Sequence, residues 1–563
     1  MAWEQEVDLL IVGSGAAGLS AALHAESLGL KILVVEASDR YGGSTAISGG
    51  VVWIPDNPQL PSRGIADSRE DSLDYLRHIT RGQVPMERLE AYVDKSKEML
   101  AWMRENSHLR LDALEEYCDY YPEAPGGKPG GRSMEPVPFD ATGLGDAFAE
   151  LRPPHPQSQV MGKFGITARE AHGYLVPTFF TKLKLFWRLV QYFLRFWKRR
   201  GGRDTKLHAG NALIARLRRS TLDRDIELWL ESPVEELIIE DGQVTGAVVQ
   251  KGDRKIRVGA SRGVLLAAGG FEQNQGMRDE FHTLGESRTE WNTGNPHNRG
   301  AGIRMGMAAG GAVDLMDDAW WTPVTRIPKS DPAWVLVVEK NLPGSIFVNR
   351  AAKRFVNEAS PYLDVVKGMY GGDGVPICWM VFDAEFRRQY PVGPVAPGYA
   401  TPDHRISRRF REGFFRRGKT LEALAEKLEL DPAALVATVE RFNTMADAGV
   451  DEDFGRGQSL ADTYYADSRV GPNPSLRALR VAPFYAIAVY PGDLGTKGGL
   501  VTDARARVLD AEGRVIPGLC AAGNCSASVM GPTYPGAGGT IGPALTFGFI
   551  AAQTAASSGE AIA

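Results

Sequence analysis

The sequence predicts an α/β fold: a parallel-sheet domain assembled from both ends of the chain, with an α+β domain inserted between them. Three observations predict it. The chain opens as an apolar strand, a glycine turn, a helix and a second strand. Its last stretch, 486–563, returns to the Gly-rich, small-residue style of that opening. From about 276 to 485 the texture differs, with more aromatic residues, Pro and charge.

Val7 to Val12 is a continuous apolar run and reads as a buried strand. Gly13-Ser14-Gly15-Ala16-Ala17-Gly18 follows, then a helical run through Gly29, then a strand from Lys31 to Val35 ending in Glu36. This order is the opening of a Rossmann-like dinucleotide-binding unit. Gly13 permits the tight turn, Gly15 lets backbone approach a pyrophosphate, and Gly18 lets the helix pack close to the sheet. The helix N-terminus stabilises phosphate charge. Glu36 stands at a strand end, where a carboxylate accepts from ribose hydroxyls. Residues 85–118 read as helix and the Pro/Gly-rich 122–160 as loop. Gly210 to Leu222 reads as helix. Ile226–Leu230, Val234–Glu240, Val244–Gln250 and Lys255–Val258 read as strands, with a turn at Asp241-Gly242. Val264 to Ala268 is a further buried strand, ending in Gly269-Gly270, and Leu421 to Ala448 is a helix pair divided at Asp431-Pro432.

Composition narrows the class. The chain has 563 residues, 43% of them hydrophobic, enough for a large core. A net charge of −5 argues against a general nucleic-acid partner. The four Cys form no CxxC pair and are too few for a disulfide scaffold, which points to a reducing, cytoplasmic compartment. The acidic N-terminus runs straight into a strand, unlike a secretory signal, and no apolar run is long enough to span a bilayer. The nine His show no metal-ligand spacing, so no metal is expected.

Three segments in order select the nucleotide. Glu36-Ala37-Ser38-Asp39-Arg40-Tyr41-Gly42-Gly43-Ser44-Thr45 resembles the run that continues along the FAD pyrophosphate in two-dinucleotide-domain flavoproteins. Arg262 to Gly270 and Gly518 to Asn524 complete a pattern similar to FAD flavoproteins of the fumarate reductase/succinate dehydrogenase superfamily. Covalent members of that group tether flavin through a His near the position of Ser44 to Ser48. This chain has none there, so FAD is expected to be non-covalent. The expected cofactor residues are Gly13, Ser14, Gly15, Ala16, Ala17, Gly18, Glu36, Ala37, Gly43, Ser44, Thr45, Ser48, Gly49, Gly50, Val234, Ala268, Gly269, Gly523, Asn524, Gly539, Ala544 and Leu545. The expected domains are a Rossmann-like FAD-binding domain from 1–275 and 486–563, and an inserted α+β catalytic domain from 276–485.

Asp493 to Leu500, Ala521 to Ser528, Tyr534-Pro535-Gly536-Ala537-Gly538, Ser360-Pro361-Tyr362-Leu363-Asp364 and Asp119-Tyr120-Tyr121-Pro122 closely resemble the 3-ketosteroid Δ1-dehydrogenase family. The resemblance runs from Val7 to about Thr554 and breaks mainly at 155–205, an insertion relative to shorter members. It implies FAD-dependent introduction of a C1–C2 double bond into 3-ketosteroids such as androst-4-ene-3,17-dione or cholest-4-en-3-one. Electrons then pass to a quinone or similar acceptor. By the same resemblance, the Tyr534 hydroxyl and the Gly538 N–H bind the 3-keto oxygen, Tyr362 takes the C2 proton, and Tyr120 supports its deprotonation. The assignment is chemically coherent. Two donors on a ketone stabilise the enolate that forms when the adjacent C–H is lost. A Tyr base, with an unperturbed pKa of ~10, needs a neighbour to relay its proton. Tyr117, on Tyr120's face if that stretch is helical, is a candidate to extend the relay to solvent. Competing readings are a 3-ketosteroid Δ4-(5α)-dehydrogenase, a fumarate-reductase-like enzyme for dicarboxylates and a redox-neutral flavin hydratase. The dicarboxylate reading calls for clustered Arg and His, whereas the pattern here is rich in Tyr.

The insertion carries a further signal. From 178 to 200 the chain reads TFFTKLKLFWRLVQYFLRFWKRR, with no acid between Ala171 and Arg203. At helical spacing Lys184, Arg188, Arg195, Lys198 and Arg199 share one arc, and Phe179, Phe186, Trp187, Phe193 and Trp197 lie largely opposite. A basic stripe against an aromatic one describes a helix lying in a bilayer interface, here the inner face of the cell membrane. The longer family members, those acting on cholest-4-en-3-one, are similar in carrying such an insert. The competing reading is a helix packed on protein.

Overall fold

The computed structural model describes residues 2–160, 162–175, 179–198, 202–371 and 376–557. Its central sheet has six strands in the order Glu227–Trp229, Ile32–Val35, Leu9–Val12, Val264–Leu266, Val515–Ala521 and Arg507–Leu509. Every pair is parallel except the last. Val264–Leu266 lies between the strands from the two chain ends and joins them in one sheet. Strands Ile32–Val35, Leu9–Val12 and Val264–Leu266 are wholly buried, as parallel strands covered on both faces require. Helices Ala16–Ser27 and Ile541–Ser557 pack against each other through small residues. A Cβ on Gly548 would stand 2.2 Å from the Ala17 carbonyl oxygen.

The second domain is built on an antiparallel sheet in the order Trp334–Val335, Ala319–Thr325, Phe484–Thr496, Cys378–Phe382 and Ser345–Val348. The helix pair divides where expected, into Leu421–Leu428 and Pro432–Ala448. The Asp431 carboxylate accepts from the N–H groups of Ala433 and Ala434, and Pro432 opens the helix.

Several boundaries differ from expectation. The run Val7–Val12 breaks at Asp8. Gln5–Val7 joins a separate four-stranded sheet, and only Leu9–Val12 enters the main one. The Asp8 carboxylate accepts from Lys31 N and Ser261 Oγ, which fixes the crossing between sheets. The helix expected over 85–118 ends at Asn106, and Leu111–Ala113 is a strand. The stretch 122–160 contains the buried strand Ser133–Pro136, which the surrounding Gly and Pro conceal in sequence. The domain boundary expected at 485/486 falls inside the strand Phe484–Thr496. Its Pro491-Gly492 pairs with Pro323 and Thr322 of Ala319–Thr325.

The insertion folds as helices Ala168–Leu175 and Phe179–Leu194 with short flanking strands. Its aromatic face points outward: Phe186, Trp187, Phe193 and Trp197 are 61%, 56%, 56% and 89% exposed. The basic stripe corrects the expectation. Arg188 turns inward, donating to His208 Nε2 at 2.6 Å and pairing with Glu170, and Arg195 pairs with Asp204 at 2.7 Å. Acids from neighbouring segments recruit these guanidiniums, and burial and Arg188 push His208 down to about 3, so it stays a neutral acceptor. Lys184 remains exposed. The side chains of Phe179 and Lys198, and Arg199 entirely, lie outside the described residues. Among the described residues no helix is long and apolar enough to cross a membrane.

Candidate active site

A cavity of 540 Å³ runs from the carboxyl ends of the parallel strands to the second domain. Its inner half is built from the glycine turn. Gly13 has φ +112°, and a Cβ there would stand 2.3 Å from the Ala267 carbonyl oxygen, so no other residue fits. Glu36 is buried at the strand end. One carboxylate oxygen accepts from Ser14 N and Oγ, at 3.2 and 2.6 Å, and the other accepts from Ser38. Ser14 Oγ in turn accepts from Gly42 N. The two Gly-rich segments are thereby locked edge to edge around the cavity. At Gly15 the nearest atom to a built Cβ is 3.9 Å away, and at Gly49 none lies within 4 Å, so both present bare backbone to open space.

Of the expected cofactor residues, Ser14, Ala16, Ala17, Ala37, Gly43, Ser44, Thr45, Ser48, Gly50, Val234, Ala268, Gly269, Gly523, Asn524 and Ala544 also line this cavity, with Gly13, Gly15 and Glu36. Gly18, Gly539 and Leu545 do not. Gly18 lies against the Gly13 carbonyl, where its bare Cα lets the helix close on the turn. Gly539 packs on Pro535, and Leu545 is fully buried, its carbonyl accepting from Ser20 Oγ.

Tyr362, Tyr534, Tyr120, Tyr117 and Gly538 line the same cavity, although they come from three distant stretches of chain. The Tyr120 ring stands edge-on to both partners, 5.6 Å from Tyr362 and 5.2 Å from Tyr534. Hydrogen bonds tie the three segments together. Tyr120 N donates to Pro535 O, and Tyr121 Oη donates to Asp364 in the helix Tyr362–Tyr370. Asp119, buried and paired with Arg132, also accepts from Trp53 Nε1, which anchors the Tyr120 loop. Gly538 has φ +96°, with the Trp53 N–H donating to its carbonyl. A Cβ there would lie 2.5 Å from Trp53 N. Lys497 supports the Tyr534 loop. Its Nζ donates to Gly531 O and Thr533 O and lies 4.6 Å from the Trp320 ring, which packs on Tyr534.

Burial pushes the Tyr534 phenol up to about 12, keeping it a hydrogen-bond donor. Burial, and then the neighbouring Tyr534, also raise Tyr362 above the usual tyrosine range, while hydroxyls of Tyr120 and Tyr117 favour its phenolate. Tyr117 is in a loop rather than a helix, and it does not reach solvent directly. It is buried, and Tyr465 Oη donates to its hydroxyl at 3.2 Å. Tyr464 stacks on Tyr117 at 4.3 Å, and His172 from the insertion stacks on Tyr464 at 4.5 Å.

Sequence reading missed Tyr465 and the lining loop from Thr293 to Arg299. That loop leads into the helix Ala301–Ala308, and its Asn295 N and Asn298 Nδ2 donate to Ser44 Oγ. Its glycines were the available signal, but no strand of the main sheet precedes them. Ala168 and Ala171 of the insertion also line the cavity, so its outer wall and the aromatic helix belong to one unit. Burial pushes the Cys520 and Cys525 thiols up to about 12, as suits packing residues. Among the described residues no group of His, Cys, Asp and Glu is arranged to hold a metal ion.

The FAD binding domain family matches residues 8–541. A 3-oxosteroid 1-dehydrogenase of Mycolicibacterium smegmatis is 42% identical over 581 aligned residues, covering 99% of this chain and 98% of the relative. The chain belongs to the 3-oxosteroid 1-dehydrogenase family. A solved 3-ketosteroid Δ1-dehydrogenase from Sterolibacterium denitrificans, in complex with 1,4-androstadiene-3,17-dione, superposes on this family member with a TM-score of 0.95 at 44% identity. The match covers 98% of this chain and 100% of that one. A 3-ketosteroid-Δ4-(5α)-dehydrogenase from Rhodococcus jostii shares the fold, with a TM-score of 0.65 at 20% identity over 99% and 98% of the two chains. The open backbone at Gly15 and Gly49 and the carboxylate of Glu36 fit the pyrophosphate and ribose of FAD, the cofactor of this 3-oxosteroid 1-dehydrogenase family member.

Proposed function

We propose that this chain is an FAD-dependent 3-oxosteroid 1-dehydrogenase, converting 3-keto-4-ene steroids to 1,4-dien-3-ones. One observation carries the reading: Tyr362, Tyr120, Tyr534 and Gly538 converge in the cavity that also holds the nucleotide residues. Tyr534 Oη and Gly538 N–H donate to the 3-keto oxygen and stabilise the enolate as it forms. Tyr362 takes the C2 proton, and Tyr120, Tyr117 and Tyr465 carry it outward. FAD, held without a covalent bond by the Gly13–Gly18 turn and Glu36, would supply the acceptor for the hydride that leaves C1, and a quinone-type compound would take up the electrons. Anaerobic mixing of the purified holoenzyme with androst-4-ene-3,17-dione or cholest-4-en-3-one is expected to bleach the flavin absorbance within one turnover. Persistent absorbance with both steroids would reject steroid oxidation and leave the hydratase reading. An NMR spectrum placing the new double bond at C4–C5 would favour Δ4 chemistry instead.

The outward aromatic face of Phe179–Leu194 supports a peripheral seat on the inner face of the cell membrane, with the protein in the cytoplasm. The helix and the turn after it are held to the protein by Arg188 and Arg195 and offer Phe186, Trp187, Phe193 and Trp197 to lipid. The cavity wall formed by Ala168 and Ala171 then opens beside the lipid in which a sterol substrate dissolves. Deletion of 178–200 is expected to leave a folded protein that no longer pellets with anionic liposomes. Undiminished pelleting of that variant would assign the face to protein contact.

A further inference from the structure

Lys340 is a buried cation that the reaction as described does not use. It is 1% exposed, and its Nζ is surrounded by oxygen atoms. Glu358 O, Ala359 O and Ser360 O lie at 3.1, 3.2 and 2.6 Å, and Asn341 Oδ1 at 3.3 Å. The three carbonyls belong to consecutive residues that end two positions before Tyr362. The same Nζ lies 5.2 Å from the centre of the Tyr362 ring. We propose that Lys340 is the positioning residue of Tyr362: its ammonium anchors the chain entering the base and holds a positive charge against the ring, favouring the phenolate.

Four oxygens and no donor around Nζ call for all three hydrogens of an ammonium. A neutral amine would turn its lone pair on one of these oxygens. Burial pushes the ammonium down to about 7, with the like charge of Arg456 adding to the shift and the acids Asp462, Glu358 and Asp364 opposing it, and the all-acceptor shell of Nζ favours the charged form. Glu358 is itself engaged by Arg354 and Arg456, and Arg354 by Asp451, so those guanidiniums are committed to carboxylates, and the cation placed against the Tyr362 ring is that of Lys340. The other titratable groups facing the Tyr362 phenol are Tyr534, Tyr120, Tyr117, Tyr465 and Glu339. None of these is a cation. A phenolate at Tyr362 and an ammonium at Lys340 stabilise each other, so removing one charge makes the other harder to form. Lys497 provides an internal contrast. It supports the Tyr534 loop in the same way, through two carbonyls, but its charge lies against Trp320, and Tyr534 acts as a donor that stays protonated.

The inference rests on Tyr362 being the base, and the test separates the two claims. The rate of anaerobic flavin reduction by androst-4-ene-3,17-dione is measured by rapid pH jump from pH 6 up to the alkaline plateau in the holoenzyme and its variants. In Lys340→Met the basic limb is expected to move up by about one pH unit or more. The rate at neutral pH should fall about tenfold and recover as pH rises, with the flavin spectrum and product affinity unchanged. If Lys340→Met does not retain flavin, Lys340→Gln, which keeps N–H donors for the carbonyls without the charge, is measured instead. Lys340→Arg, which keeps the charge, should return the midpoint to that of the parent, and Lys497→Met should lower the rate without moving the midpoint. A neutral variant whose profile superposes on the parent's overturns the proposal, as does a Lys340→Arg midpoint displaced as far as the neutral variants'. Unchanged turnover in Tyr362→Phe would instead remove the base assignment itself.

Discussion

A Tyr362→Phe enzyme is expected to keep its flavin and its steroid affinity and to lose about 10³-fold in the rate of flavin reduction by substrate. That loss corresponds to about 4 kcal/mol of transition-state stabilisation. The ring remains to pack against Tyr120, 5.6 Å away, so the fold has no reason to change, and only the proton acceptor is gone. The pH dependence carries the sign. Burial raises the Tyr362 phenol, so the fraction of phenolate in the parent grows as pH rises, and the rate should climb with it through the alkaline range. The variant has no phenol to ionise and should show a flat, low profile. A profile that still climbs with full amplitude would transfer the role of base to Tyr120 or Tyr117, the other phenols at this point of the cavity.

Tyr534→Phe should cost about 10²-fold, with a different signature. Tyr534 is pushed up to about 12 and serves as a donor throughout the working range, so its loss lowers the rate by a similar factor at every pH. Gly538 N–H remains as the second donor on the ketone, and for that reason the variant should retain measurable turnover. Comparison of a 3-ketosteroid with its 3-hydroxy counterpart provides the check. The parent should bind the ketone more tightly, and the variant should lose much of that preference. Equal loss for both ligands would mean that Tyr534 shapes the cavity rather than reads the carbonyl.

The legibility of the site follows the range of the forces that build it. The glycine turn, the Ala16 helix and Glu36 were readable because they lie within one short stretch, and the spacing of Gly13, Gly15 and Gly18 is a local steric requirement. Gly18 is expected both to let the helix pack close and to stand among the cofactor residues; it packs on the Gly13 carbonyl and does not line the cavity. Tyr117 shares a face with Tyr120 only if the helix expected over 85–118 holds, and the chain leaves that helix at Asn106. The boundary expected at 485/486 follows the return of Gly-rich, small-residue composition, and the strand Phe484–Thr496 runs through it because pairing with Ala319–Thr325 holds its Pro491, Gly492 and Gly495 extended. Tyr465 and Lys340 carry no motif. Their roles come from what faces them across the fold.

The sequence by itself determined the nucleotide-binding opening, the assembly of one domain from both chain ends, and the residue types able to polarise a ketone and remove a proton beside it. These are properties of short segments, where a backbone conformation or a functional group is set by its own residues. Only the tertiary structure decided that Tyr120 stands between Tyr362 and Tyr534, that the insertion turns Arg188 and Arg195 inward and Trp187 outward, and that a buried ammonium meets the ring of the base. The tyrosines meet from stretches hundreds of residues apart, and Arg188 and Arg195 meet acids that lie outside their own helix. Such pairs form when a buried charge or donor takes a partner that offsets its lost hydration, a requirement satisfied in space rather than along the sequence.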